Sequence, residues 1–143
     1  MATIGTPTPP NRSNPALLHK FLGAGLTIMA VAMVIARHSV GDSPQGSNLA
    51  AYAIAGISAV MLAAAVMFLK PLVPRRHAGQ TVAAYWTDPA VVPKALRVWF
   101  ILEGAGVLAS ISYFLGGGAY AAVVIAAAVA AYWMNGPGVF ENE

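Results

Sequence analysis

The sequence predicts an all-α membrane protein with four transmembrane helices packed as an antiparallel bundle. Three observations carry that expectation. The 143-residue chain is 58% hydrophobic and only 9% charged, whereas soluble domains carry roughly 25% charged residues. Its apolar residues gather into four runs bounded by charges, glycines or prolines. Its Lys and Arg residues cluster at the ends of those runs, almost all on one side of the expected bundle. A mean hydropathy of +0.67 leaves too few polar groups to coat a surface in water. In lipid, helices satisfy their own backbone and apolar side chains can face outward.

Residues 1–15 contain four prolines among Ser, Thr and Asn. They cannot bury enough apolar surface to fold and read as a disordered cytoplasmic tail. Residues 16–36 (ALLHKFLGAGLTIMAVAMVIA) form the first span, which ends at Arg37-His38. About 20 residues cross a bilayer, and Lys20 reaches the near interface by snorkelling. A secretory leader is the competing reading of Phe21 to Ala36, but the segment before it is long and weakly basic for one.

His38 to Asn48 is a turn cluster. Residues 49–69 form the second span, ended by Lys70-Pro71. Ala51, Ala55, Ala59 and Ala63 recur every four residues, a small-residue stripe on which another helix can pack closely. Residues 70–97 form a cytoplasmic loop. Within it QTVAAYWT predicts a short interfacial helix with Tyr85 and Trp86 at headgroup level, broken by Asp88-Pro89 and Pro93. The third span covers 98–115, Gly116 to Gly118 makes a turn, and a short fourth span covers 117–134. Residues 137–143 read as a C-terminal tail, so the transmembrane domain is 16–136.

Four spans place both termini on one side. Arg12, Lys20, Lys70, Arg75, Arg76, Lys94 and Arg97 lie on that side, and only Arg37 lies opposite. The positive-inside rule makes the richer side cytoplasmic. Arg75, Arg76 and His77 either attract anionic headgroups or only set orientation. Trp86, Trp99 and Trp133, with Tyr85 and Tyr132, lie near run ends and read as an aromatic belt.

Absent residues narrow the function classes. The chain has no cysteine, so disulfides, thiolate chemistry and Cys-based metal sites are excluded. The net charge of +3 comes from residues flanking apolar runs, without the aromatic-plus-basic pattern of nucleic-acid binding. No phosphate loop, catalytic triad, paired carboxylates or zinc signature occurs, and no enzymatic activity is expected.

Glu103 is the chemical anomaly: an acid well inside an apolar run, which should face protein or water rather than lipid. Gly104, Gly106 and Ser110 make one side of its helix small. Gly23-Ala24-Gly25 in the first run matches Gly104-Ala105-Gly106 in the third. If the two segments sit at equal depth, Lys20 and His19 lie within about one turn of Glu103, and a Glu103–Lys20 or Glu103–His19 contact follows. The match also fits a duplication into two parallel helical hairpins. It equally fits the abundance of Gly and Ala in membrane helices. Glu103 reads either as a proton or cation site or as a polar packing clamp. His19 is the only fair candidate for a haem or chlorophyll ligand, against the blander reading of an interfacial histidine. The sequence identifies no cofactor.

The segment ALRVWFILEGAGVLASISYFLGG, Ala95 to Gly117, resembles the third helix and turn of uncharacterised four-span bacterial integral membrane proteins that carry a Leu-Glu-Gly motif. The resemblance covers the last third of the chain. It implies a four-span fold and a bacterial inner-membrane location, with no activity attached. A fainter likeness to the proteolipid rotor subunits of ATP synthases carries no role to Glu103, because here the acid precedes the glycines and the polar loop and long glycine repeat are missing. The expectation is a small accessory or scaffold subunit, with the lipid bilayer and other membrane subunits as partners. A small oligomeric transporter or cation conduit is the alternative.

Overall fold

The computed structural model describes residues 14–40, 48–116 and 118–142. The expected N-terminal tail lies almost wholly outside the described residues, as do most of the 38–48 turn and Gly117 of the glycine turn. The described chain is helical: α1 (Pro15–Val40), α2 (Asn48–Ala64), α3 (Val82–Thr87), α4 (Val92–Gly116), α5 (Ala119–Met134) and α6 (Pro137–Asn142). Three helical stretches, Pro15–Val40, Leu49–Leu72 and Val92–Gly116, are long and apolar enough to cross a membrane, and α5 is a shorter apolar helix. These features mark a membrane protein.

The helix boundaries have local causes. Asn14 caps α1 by accepting the Ala16 amide on Oδ1 at 3.0 Å, and Pro15 follows where its missing N–H costs nothing. α1 runs past Ala36 to Val40, with Arg37 and His38 in its last turn, where cations favour the helix dipole. α2 widens into a π-helical turn over Ala65–Leu69 and then tightens into a 3₁₀ turn over Lys70–Leu72. Pro71 explains this ending, since its ring cannot follow a regular helix without meeting the carbonyl four residues back.

α4 begins at Val92, earlier than the expected residue 98. Pro93 does not hold the helix off, because in a first turn its lost donor is not needed. Lys94 and Arg97 therefore belong to α4, and the loop expected over 70–97 shrinks at both ends. Thr81 caps α3 by accepting the Ala84 amide at 3.1 Å. The expected C-terminal tail is also corrected: residues 137–142 form α6, and its Phe140 is buried.

Helix α4 is the hub. It packs against α1, α2 and α5, and α5 touches both α1 and α2. Ala95, Val98, Trp99, Leu102, Ala105 and Ala109 are all buried on it. On α2 the buried residues are Ala51, Ala55, Ser58 and, in the π turn, Ala65. Ala59 and Ala63 are exposed, so the stripe expected every four residues is half wrong. A helix turns every 3.6 residues, so a strict four-residue row drifts off the contact, and the true face alternates steps of four and three.

The two Gly-Ala-Gly segments hold unlike places. A side-chain carbon at Gly23 would meet the Tyr132 ring at 2.7 Å, and one at Gly106 would collide with Leu26; Gly104 faces Met61, and Gly25 is open. The outer faces are apolar, with Phe21, Ile28, Val60 and Phe68 each 68–69% exposed.

Candidate functional site

A buried polar and aromatic cluster lies where the start of α1 meets the end of α5. His19, expected near Glu103 or the interface, is buried there at 3% exposure. Its ring stacks on Tyr132 with centroids 4.5 Å apart, and it meets Trp99 and Trp133 edge-on at 5.0 and 5.8 Å. His19 Nε2 lies 3.1 Å from the Tyr132 carbonyl oxygen, and Tyr132 Oη donates to the His19 carbonyl at 3.0 Å. A carbonyl only accepts, so Nε2 carries the hydrogen in this contact. Gly23 makes the arrangement possible by leaving room for the Tyr132 ring.

Trp99 extends the cluster. Its Nε1 donates to the Asn135 carbonyl at 2.7 Å, and its ring approaches Trp86 and Phe140, each at 6.1 Å. Asn135 is itself held by a bond from its Nδ2 to the Ala131 carbonyl at 2.7 Å. Tyr85, expected at headgroup level, is instead 1% exposed, and its Oη donates to the Pro74 carbonyl at 2.8 Å. Trp86 Nε1 donates to Glu141 Oε1 at 2.7 Å, which ties α3 to α6. The aromatic belt is thus corrected in part. Trp133 remains 44% exposed, with Nε1 donating to Thr27 Oγ1 at 3.2 Å, but Tyr85, Trp99 and Tyr132 face inward.

Glu103 sits in the middle of α4, one turn beyond Trp99 on the same side, and is half-buried. Among the described residues it has neither an ion pair nor a hydrogen bond. The expected Glu103–Lys20 contact is not made, because Lys20 is exposed on α1. His19 is engaged by Tyr132 and packs on Trp99, one turn before Glu103 on α4. Ser110 is buried, and its Oγ donates to the Gly106 carbonyl of its own helix at 2.8 Å rather than toward Glu103.

Two serines brace α2 against α4 reciprocally. Ser58 Oγ donates to the Ala105 carbonyl, and Ser112 Oγ donates to the Ala51 carbonyl at 2.7 Å. At the far end Arg37 Nη1 reaches the Phe114 carbonyl at 3.5 Å. Among the topology residues, Arg75 and Arg97 are exposed. Arg76 Nε donates to the Glu141 backbone carbonyl at 2.9 Å. Among the described residues no group of three His, Asp or Glu converges as a metal site.

Sequence reasoning missed Asn135, Phe140 and Glu141. It also did not foresee the inward turn of Trp99 and Tyr132. The signal was present as spacing: Ala121, Ile125, Ala128 and Tyr132 step by four, three and four, the repeat of one buried helix face. No protein-family model matches this chain, and no curated protein or solved structure does either.

Proposed function

We propose that this chain is a non-enzymatic multi-pass protein of the bacterial inner membrane, a small accessory or scaffold subunit of a larger membrane complex, respiratory or photosynthetic. It crosses four times, with both termini cytoplasmic. The observation that carries this reading is the use made of the buried polar groups. Tyr132 and His19 bond each other's backbone across α1 and α5, Ser58 and Ser112 bond across α2 and α4, and Trp99 holds the α5–α6 junction. Interior polar chemistry of this kind braces helices. The apolar outer faces of α1, α2 and α5 are then available to lipid and to neighbouring helices.

The fourth span is α5. Its 16 residues extend about 24 Å, short of a hydrocarbon core of about 30 Å. Local thinning and packing against α4 accommodate the difference. The charge distribution then places α3 and α6 with the termini. The likeness of Ala95 to Gly117 to four-span bacterial proteins points the same way. Extraction in mild detergent followed by native mass measurement tests the role. A stoichiometric complex with other membrane subunits is the expected result. A pure homo-oligomer that supports pH-dependent flux in liposomes overturns it.

One observation favours a second reading, a small oligomeric transporter or proton or cation conduit. Glu103 holds a carboxyl in the middle of the hub helix with no ion-pair partner among the described residues, and intramembrane acids commonly mark ion pathways. Loss of liposome flux in Glu103→Gln with unchanged assembly would support it.

A further inference from the structure

The first turns of α2 and α5 meet through a pair of tyrosines. Tyr52 and Tyr120 stack there with ring centroids 4.1 Å apart and 22° between their planes. Tyr52 is 55% exposed and Tyr120 is half-buried. The frame beneath the pair is tight. A side-chain carbon at Gly116 would meet Ala51 at 2.7 Å and the Tyr120 hydroxyl at 3.0 Å, and one at Gly118 would collide with the Tyr120 ring. Ser112 Oγ donates to the Ala51 carbonyl at 2.7 Å, one residue before Tyr52. Gly116 and Gly118, which read in the sequence only as a turn, therefore let Tyr120 fold back over that turn and lie against Tyr52. The other three tyrosines are placed differently. Tyr85 and Tyr132 are 1% and 0% exposed, and each hydroxyl donates to a backbone carbonyl. Tyr113 is half-buried against the cluster of Ala30, Ala109 and Ile125.

We infer that Tyr52 and Tyr120 form a site of oxidative cross-linking, at which a one-electron oxidant, a peroxidase acting with hydrogen peroxide, joins the two rings as dityrosine. Each phenol gives up one electron and its hydroxyl proton and becomes a phenoxyl radical, with unpaired spin on the ring carbons beside the oxygen. One carbon–carbon bond forms between two such carbons. The hydrogen on each of them then moves to the oxygen of its own ring, which restores both phenols. The pair loses two electrons and two protons in all, and one hydrogen peroxide takes them up to become two waters. Holding both rings together makes the coupling step intramolecular, which removes the entropic cost of an encounter. The exposed Tyr52 side chain turns on a fast timescale, so coupling needs ring motion and no helix motion. The product ties the start of α2 to the start of α5 covalently. The orientation proposed above places this end on the periplasmic side, in an oxidising compartment. The site rests on the stack itself and on neither the scaffold nor the conduit reading.

The test uses the full purified chain in mild detergent, treated with a haem peroxidase and limiting hydrogen peroxide, then digested and read by mass spectrometry. The expected product is a monomeric chain lighter by two hydrogen atoms, with one linked peptide pair joining Tyr52 to Tyr120 and the fluorescence of dityrosine. Tyr52→Phe and Tyr120→Phe should each abolish it, since both keep a ring to stack and lack a phenol to couple. Tyr113→Phe should leave it unchanged. Gly118→Ala keeps all five tyrosines but displaces the Tyr120 ring, and it should lower the yield several-fold. The two phenylalanine variants stand even if Gly118→Ala fails to fold. Links that run between chains or through Tyr113 overturn the site. So does recovery of Tyr52 and Tyr120 unlinked once the peroxide is consumed, or an undiminished yield in folded Gly118→Ala.

Discussion

Tyr132 and His19, 113 positions apart in the chain, each bond the other's backbone carbonyl while their rings stack at 4.5 Å. The pair fixes where α1 begins relative to where α5 ends. Truncating either member to alanine therefore removes a bond and the stack. Tyr132→Phe keeps the stack and loses one bond, and in membrane proteins such a bond is worth about 0.6 kcal/mol on average and up to about 1.7 kcal/mol. His19→Ala loses the other bond and the stack together. A double-mutant cycle of His19→Ala with Tyr132→Ala, read by unfolding in detergent, is expected to give a coupling of about 0.5–2 kcal/mol from the shared stack. Strict additivity would show that the two residues do not act as a unit.

Gly25 and Gly106 occupy the same position in their matching Gly-Ala-Gly segments, and the fold predicts opposite responses. A side chain at Gly106 collides with buried Leu26, while Gly25 faces open space. Gly106→Val is expected to cost about 1–3 kcal/mol through overpacking between α1 and α4, with part of the loss restored by Leu26→Ala. Gly25→Val should change stability by no more than about 0.5 kcal/mol. Equal effects at the two sites would instead support equivalent roles in a duplicated hairpin.

The helices were legible in the sequence because hydropathy and charge act locally: four apolar runs, bounded by Arg37, Lys70 and the glycine turn, return as α1, α2, α4 and α5. Pro93 was misread because a proline ends a helix from inside but begins one at its first turn, and single-sequence reading does not separate the two cases. Ala59 and Ala63 were misassigned because a four-residue row looks like a helix face over a short stretch and drifts over a long one. The aromatic cluster was illegible for a different reason. Whether Trp99 or Tyr132 faces lipid or core depends on which helices meet at that depth, and the contacts with His19, Asn135 and Phe140 that decide it link residues far apart in the chain. The α6 docking was hidden in the same way, since a six-residue segment with one Phe carries no periodicity.

Phe140 anchors α6, so its loss should be felt locally. It is 3% exposed and lies against Trp99, while the next residue, Glu141, receives the Trp86 indole hydrogen. Phe140→Ala removes a buried aromatic, a change that costs about 3 kcal/mol or more in a packed core. Because α6 is only six residues long, the expected result is local opening. Amide exchange over 137–142 should speed up by roughly a hundred-fold, with protection in α4 nearly unchanged. A matching loss of protection in α4 would show that α6 is integral to the bundle and not docked upon it.

Glu103 separates the two functional readings most directly. A carboxyl near the centre of a span costs on the order of 2.5–3.5 kcal/mol on insertion scales when charged. Its half-buried place on α4, without a hydrogen-bond partner among the described residues, offsets little of that cost. The isolated chain should therefore not depend on the charge. Glu103→Gln is expected to leave unfolding stability unchanged or to raise it by about 1–2 kcal/mol, since an amide carries no charge to desolvate. Under the scaffold reading, assembly with partner subunits and liposome permeability should both be unaffected. Under the conduit reading the variant should fold and assemble equally well but lose flux, because an amide cannot release a proton or balance a cation. A drop of more than about 2 kcal/mol in the isolated chain would contradict both expectations. It would mean that the carboxylate has an essential structural partner within the bundle.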